Sequence, residues 1–473
     1  MRNKILNIIV IMTAMLATSC SDWLDVQPSD RISEENNFAQ LAGYKKALNG
    51  IYIELNSNDL YGRNLSFEYI EILGQHWAVS DENTNNKSIM NFEYSGQPAK
   101  SKATAIWRKA YNLIANTNLL LKNCDEHQDL LSPEYLNLIK GEALALRAYL
   151  HFDLFRLFGP IYKGNEDKET IPYYQAFSFN VEKKDSCAAF MSHVLDDLLA
   201  AEVLLQDDPI IKYGVKGNKK DIFLQFRNLR FNYYAVQALL ARVYLYMGNT
   251  EKAYEYAKKV IDIQEQVFPW IDPLKFQTGD SPDRIFSSEV MFATQNLDRN
   301  LIYSSYFDGR NMKMNALLAP RADVIDYIFQ SDKVDYRYAS CMNNTVEISG
   351  TTYCIFNKYQ GTDSLYNQMI PLIRISEMYL IAAETAPTSQ ERLSYFNDLL
   401  NHRGVRSRTS LSASNMEDEY WKEFFGEGQL FFFFKRLRKT SVKSAMEQYT
   451  FMSMDPYNYV VPIPDEETQY DCR

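Results

Sequence analysis

Between Asn228 and Asp262, in NLRFNYYAVQALLARVYLYMGNTEKAYEYAKKVID, apolar and small side chains return three and four positions apart as far as Met247. That spacing gathers them on one face of an α-helix. Gly248 interrupts it, Asn249 or Thr250 can cap a second helix, and the apolar spacing resumes through Val260. The segment predicts a helical hairpin. Leu240, Ala241, Tyr244, Gly248, Ala253 and Ala257 fall where a tetratricopeptide unit places its large and small residues. Ala241 and Ala253 lack the bulk that would hold two antiparallel helices apart. One such unit cannot bury its own faces, so the pattern requires neighbours.

The chain supplies them. GEALALRAYLHFDLFRLFGP (141–160) is apolar on nearly every face, carries Ala143, Ala145 and Ala148 for close approach, and stops at Gly159 and Pro160. A helix apolar all round has to be sandwiched, and residues 104–123 and 186–205 have the helical periodicity to flank it. A last pair runs IPLIRISEMYLIAAETA and then TSQERLSYFNDLLNHRG, with Thr388 and Glu391 spaced as a capping box and Gly404 at the end. The expected fold is mainly all-α, a tetratricopeptide-like bundle of helical pairs with long irregular loops and a few short β-hairpins. Residues 56–102 and 264–366 fall outside the pairing. Both are rich in Asn, Asp, Ser, Gly and Tyr, with short strand-like runs such as SEVMFATQ, and ordered loops of this length on a helical body usually carry function.

The N-terminus reads differently. Arg2 and Lys4 precede an apolar run from Ile5 to Leu16, followed by Ala17, Thr18, Ser19 and Cys20. This is the layout of a secretory signal peptide over residues 1–19. The run is well short of the ~20 apolar residues that span a bilayer. Cleavage after Ser19 fits both a soluble periplasmic product and a lipoprotein acylated on Cys20. Residues 20–473 are expected to form a single domain.

Composition narrows the chemistry. A formal charge of −10 argues against nucleic acid or an anionic lipid surface as partner, and the basic run Lys435–Lys439 is isolated enough to be a helix face or end. Beyond Cys20 the cysteines are Cys124, Cys187, Cys341, Cys354 and Cys472, with no CxxC. Cys341 and Cys354 flank VEISGTTYCIF, whose Ser349 and Gly350 suggest a hairpin turn; the two thiols can pair or stay buried and free. No GxSxG, HExxH, phosphate-binding loop or EF-hand occurs, and the Gly426/Gly428 pair lacks the third glycine of a dinucleotide fingerprint. The five histidines, at 76, 127, 151, 193 and 402, have no metal-like spacing, and His151 reads as a satisfied core residue. Neither a metal, a cofactor nor an enzymatic constellation is indicated.

Taken in order, several segments resemble the SusD/RagB family of outer-membrane nutrient-binding lipoproteins of Bacteroidetes. They are Cys20 with DWLDVQP, KGEALALRAYLHFDLFRLFGPI, ALLARVYLYMGNTEKA, PLIRISEMYLIAAE, NHRGVRSRT, EGQLFFFFKRLR and the terminal VVPIPDEETQ. The chain departs from the family at Tyr162, where a proline is usual, at Gln429 and the phenylalanines after it, and in the short turn at Ala386–Pro387. The resemblance implies a lipid-anchored, surface-exposed outer-membrane protein without catalytic activity. It would capture a nutrient, usually an oligosaccharide, and pass it to a SusC-like TonB-dependent transporter; it also favours lipidation of Cys20. A scaffold binding only protein partners and a surface glycosidase are the alternative readings.

A sugar presents C–H faces for a flat ring and a rim of hydroxyls for amides, carboxylates and guanidinium groups. On that ground the candidate ligand contacts are His76, Trp77, Asp81 and Asn83 in the first loop region, and Trp270, Tyr303, Tyr306 and Arg310 in the second. If Trp77 stacks on the ligand, Trp77→Ala weakens binding and leaves the fold intact.

Overall fold

The computed structural model describes residues 34–178, 180–277, 282–330, 333–361 and 365–468. The signal segment and Cys20 lie outside the described residues. The main elements are α1 (Leu41–Leu55), α2 (Gln97–Glu126), α3 (Pro133–Phe158), α4 (Cys187–Leu204), α5 (Tyr233–Met247), α6 (Thr250–Ile261), β1 (Val290–Gln295), α7 (Arg299–Tyr306), β2 (Thr345–Ile348), β3 (Thr351–Cys354), β4 (Met369–Arg374), α8 (Ile375–Thr385), α9 (Ser389–Asn401), α10 (Ala413–Glu423) and α11 (Leu430–Leu437). Short helical turns and the small ribbon Ser441–Lys443/Phe451–Ser453 complete the set.

The expected pairs form. α3 packs between α2 and α4, α5 folds back on α6, α6 meets α8, and α8 meets α9. Ala143, Ala145 and Ala148 are fully buried in α3, as are Ala241 and Ala253 at the α5/α6 contact, so small side chains sit where helices approach most closely. The α5/α6 turn is closed at both ends. Gly248 adopts φ +84° at the end of α5, a left-handed conformation that costs a glycine little, and the Asn249 side chain accepts from the Lys252 N–H to cap α6. At α9 the Thr388/Glu391 capping box is present in both directions.

Polar pins join the layers. Arg147 of α3 donates Nε and Nη2 to Asp197 of α4 at 2.7 and 2.6 Å. His151, one turn on, donates Nδ1–H to the Arg147 carbonyl at 2.9 Å and accepts the Tyr174 N–H on Nε2 at 3.1 Å, its ring stacked 3.8 Å from that of Tyr173. It is the satisfied core histidine expected. The basic run is likewise no patch: Lys435 is fully buried, giving its ammonium to the Arg156 and Gly159 carbonyls at 2.7 and 2.6 Å.

Two expectations shift. IPLIRISEMYLIAAETA is a strand followed by a helix. Its first residues form β4, buried along its whole length and paired antiparallel with β1, the SEVMFATQ strand; a continuous apolar run fits a covered strand as well as a buried helix. Residues 56–102 are mostly interior: Leu60, Tyr61, Phe67, Tyr69, Ile70, Ile72 and Leu73 are buried, and the helices Tyr69–Leu73 and Thr84–Met90 and the start of α2 lie within the region. The hairpin β2/β3 forms as expected, with Ser349 and Gly350 both at positive φ, and of the two alternatives left open for Cys341 and Cys354 the thiols take the free, buried one.

Candidate ligand-binding face

The segment after β1 carries three of the candidate residues, Tyr303, Tyr306 and Arg310. α7 is fixed from beneath by its first residue: the buried Arg299 donates Nη1 to the carbonyls of Tyr366 and Met369 at 3.0 and 2.9 Å and Nη2 to Asn367 Oδ1 at 3.2 Å. One turn before the end of the helix Tyr303 is buried, its hydroxyl donated to Asn357 Oδ1 at 3.1 Å. Tyr306 ends the helix half-buried, its ring edge-on to Phe67 at 5.5 Å and its hydroxyl accepting Arg63 Nη1 at 3.2 Å. Arg63 Nε lies 3.1 Å from Glu68, which also holds Lys102 at 2.8 Å.

The turn beyond α7 is tied back to it. Arg310 forks onto Asp308 through Nε and Nη2 at 3.0 and 2.6 Å, and Asn311 donates to the Ser304 carbonyl at 2.7 Å. Bonding to Arg310 holds the Asp308 carboxyl below its ordinary value. The Arg310 side chain is nonetheless 88% exposed, so its remaining donors face water. A half-buried phenol and a pre-oriented guanidinium can stack on and hydrogen-bond a polyhydroxylated ligand. Among the described residues no group of His, Cys, Asp and Glu is arranged to hold a metal ion.

Other candidates are placed elsewhere. Trp77 is fully buried, donates Nε1–H to the Phe67 carbonyl at 2.7 Å and packs against Phe307, Phe356 and Phe425, so its ring has no free face for a ligand. His76 is also fully buried, bonded to Glu71 and stacked on Phe425. Both are core residues because the run from Leu65 to Val79 is drawn inside. Asp81 is exposed and pairs with Lys87 at 3.0 Å, while Asn83 caps the helix Thr84–Met90. Trp270 stacks on His402 at 4.7 Å and leans on Tyr379, apart from α7.

A concave trough of about 350 Å³ between α2 and residues 172–178 was not foreseen. Its rings are committed to packing: Trp107 is buried against Tyr111 and Phe158, and Tyr111 donates to the Pro172 carbonyl. It therefore offers a ligand ring edges more than faces.

A family sequence profile of SusD-like proteins, described as starch-binding and associating with the outer membrane, matches residues 22–245. The fold agrees over nearly the whole chain. A SusD superfamily protein from Bacteroides thetaiotaomicron superposes with TM-score 0.70 at 22% identity, covering 91% of this chain and 98% of its own.

The chain resembles SusD-like proteins in sequence over residues 22–245 and in fold over most of its length.

A putative sugar binding protein from Bacteroides vulgatus gives TM-score 0.68 at 24% identity, over 91% of this chain and 96% of that one. A laminarin-binding SusD-like protein gives 0.61 at 17%, over 91% and 97%. In sequence the SusD-like proteins P2 and P25 of Formosa agariphila are 25% and 27% identical over 55% and 36% of this chain. These matches span 46% and 35% of the relatives' own lengths, so the chain matches less than half of each. The matched profile takes in the α3 motif and the start of the α5/α6 hairpin.

Arg63, bonded to Tyr306, was not among the candidates read from the sequence. Its signal, a lone arginine in LYGRN, gains meaning only when Tyr306 is brought to it from 243 positions away.

Proposed function

We propose that this protein binds an oligosaccharide at the face formed by Tyr306, Arg63 and Arg310 and passes it, chemically unchanged, to a SusC-like TonB-dependent outer-membrane transporter. A lipid on Cys20 tethers it at the outer surface of the outer membrane. The observation that carries this reading is the pairing of a half-buried Tyr306 ring with the exposed guanidinium fork of Arg310 on one anchored segment. A ring sets a sugar's C–H face and a fork bonds two neighbouring hydroxyls, the division of labour that polyhydroxylated ligands require. The described residues include no helix long and apolar enough to cross a membrane, so the tether in this reading is the acyl chain. In this account Asp81, Asn83 and Trp270 are peripheral and Tyr303 positions Tyr306.

Calorimetric titration with a panel of plant, algal and host oligosaccharides tests the reading. One class should bind, Tyr306→Ala should weaken it about tenfold or more, and the sugar should be recovered intact. Equal affinity in the variant removes the face; release of shorter products overturns the passive role.

A further inference from the structure

A void of about 20 Å³ lies inside the body where the second irregular region meets β4 and α10. Five cationic side chains border it, Arg284, Arg337, Lys358, Arg374 and Lys422, against one carboxylate, Glu423. Apart from the half-buried Arg284, each is more than nine-tenths buried. Three of the cations are matched: Arg337 by Asp335 and Glu423, Arg374 by Glu423 and Glu427, Lys358 by Glu427. The other two are not. Arg284 donates to the uncharged carbonyls of Ser340 and Gln360 at 3.2 and 3.4 Å. Lys422 is 6% exposed and makes no hydrogen bond or ion pair among the described residues; its ammonium lies 5.3 Å over the Phe329 ring.

We infer that this void is a binding site for one monatomic anion of the chloride or bromide class, held by Lys422 and Arg284. The Lys422 ammonium has little access to water and no countercharge among the described residues, a state that an anion relieves and a neutral water does not. A single water needs roughly 10–15 Å³ of such space, so the void admits one monatomic ion and excludes sulfate. The rest of the wall, including Ile285, Phe356 and Phe425, is apolar and suits a weakly hydrated halide. The cations come from five separate segments, and Lys358 adjoins Asn357, which anchors Tyr303. An anion here would pin the irregular region that carries α7 to the helical body, whatever ligand that region binds.

The test is thermal unfolding of the full-length protein at fixed ionic strength, with sodium gluconate replaced stepwise by chloride, bromide or sulfate. Chloride and bromide should raise the midpoint by about 1–2 °C per tenfold increase beyond the dissociation constant, and sulfate should not. Lys422→Met should abolish the halide effect. Crystals of the unsubstituted protein grown in bromide should give an anomalous peak inside the void, which decides the matter even if the Met variant does not fold. Equal midpoints in gluconate and halide, a halide effect that survives in Lys422→Met, or a void holding water alone would overturn the assignment.

Discussion

Arg403 grips Glu423 through two parallel bonds, Nε to Oε2 at 3.0 Å and Nη2 to Oε1 at 2.7 Å, with both residues buried. The same guanidinium reaches Glu289, just before β1, at 2.9 and 2.6 Å, so one side chain from the end of α9 ties β1 to α10. Arg403→Met leaves two buried carboxylates short of a partner and should cost about 3–5 kcal/mol. Arg403→Lys should recover only part, because an ammonium cannot make the paired bonds. Urea unfolding followed by far-ultraviolet circular dichroism measures both.

Glu423 also sets an acid limit. Burial alone would raise its carboxyl, but Arg403 and Arg374 beside it hold it well below the usual carboxylate range. Its folded value is depressed, so its contribution is complete above the unfolded value of about 4.3 and is lost as pH falls below that toward the folded value. The midpoint of thermal unfolding should drop on acidification below about pH 4.3. Glu423→Gln, though less stable at pH 7, should drop less steeply. A parallel pH profile in the variant would count against this role.

Trp77 and Tyr306 should separate folding from binding. Truncating the enclosed indole to Trp77→Ala opens a cavity and orphans the Phe67 carbonyl, for a loss of about 3–5 kcal/mol. Tyr306→Ala removes a half-buried ring and should change stability by about 1 kcal/mol or less while reducing ligand affinity. Chemical denaturation and calorimetry on the two variants should give opposite patterns; a stable Trp77→Ala would contradict the core assignment.

The helical pairs were legible because they depend on local spacing: α3, α4 and the α5/α6 hairpin follow from apolar periodicity, small residues at the contacts and caps at the ends. Features that depend on distant partners were not legible in the same way. The strand β4 reads as the start of a helix until β1 is set beside it. Trp77 in a polar-looking loop reads as a ligand platform until Phe307, Phe356 and Phe425 enclose it. Gly426 and Gly428 are no nucleotide fingerprint; both sit at positive φ and turn their N–H groups onto the buried Glu71 carboxylate at 3.0 and 2.7 Å. Residues near in sequence set elements, whereas the face around Tyr306 is assembled from chain positions more than two hundred residues apart.

His151 gives a second pH dependence, in a milder range. Burial first, and the nearby Arg147 charge after it, hold its imidazole well below the ordinary value, although the Arg147 carbonyl that accepts Nδ1–H works the other way. In the fold the ring is neutral and Nε2 accepts the Tyr174 N–H; protonation would set two donors face to face. The unfolded chain takes up this proton near pH 6.5, so the stabilisation is complete above that pH and declines as pH falls below it, by at most about 1.4 kcal/mol per unit. His402 runs oppositely. Burial would lower it, but bonding to Asp398 leaves it raised, so its contribution is present below the unfolded value and lost as pH rises through the folded one. Only the difference between proteins isolates His151. Unfolding midpoints measured from pH 7.5 to 5.5 should fall more steeply in the native protein than in His151→Gln, which keeps hydrogen-bonding capacity without a titrating ring. Indistinguishable slopes would mean that the Tyr174 contact is not held by a neutral imidazole.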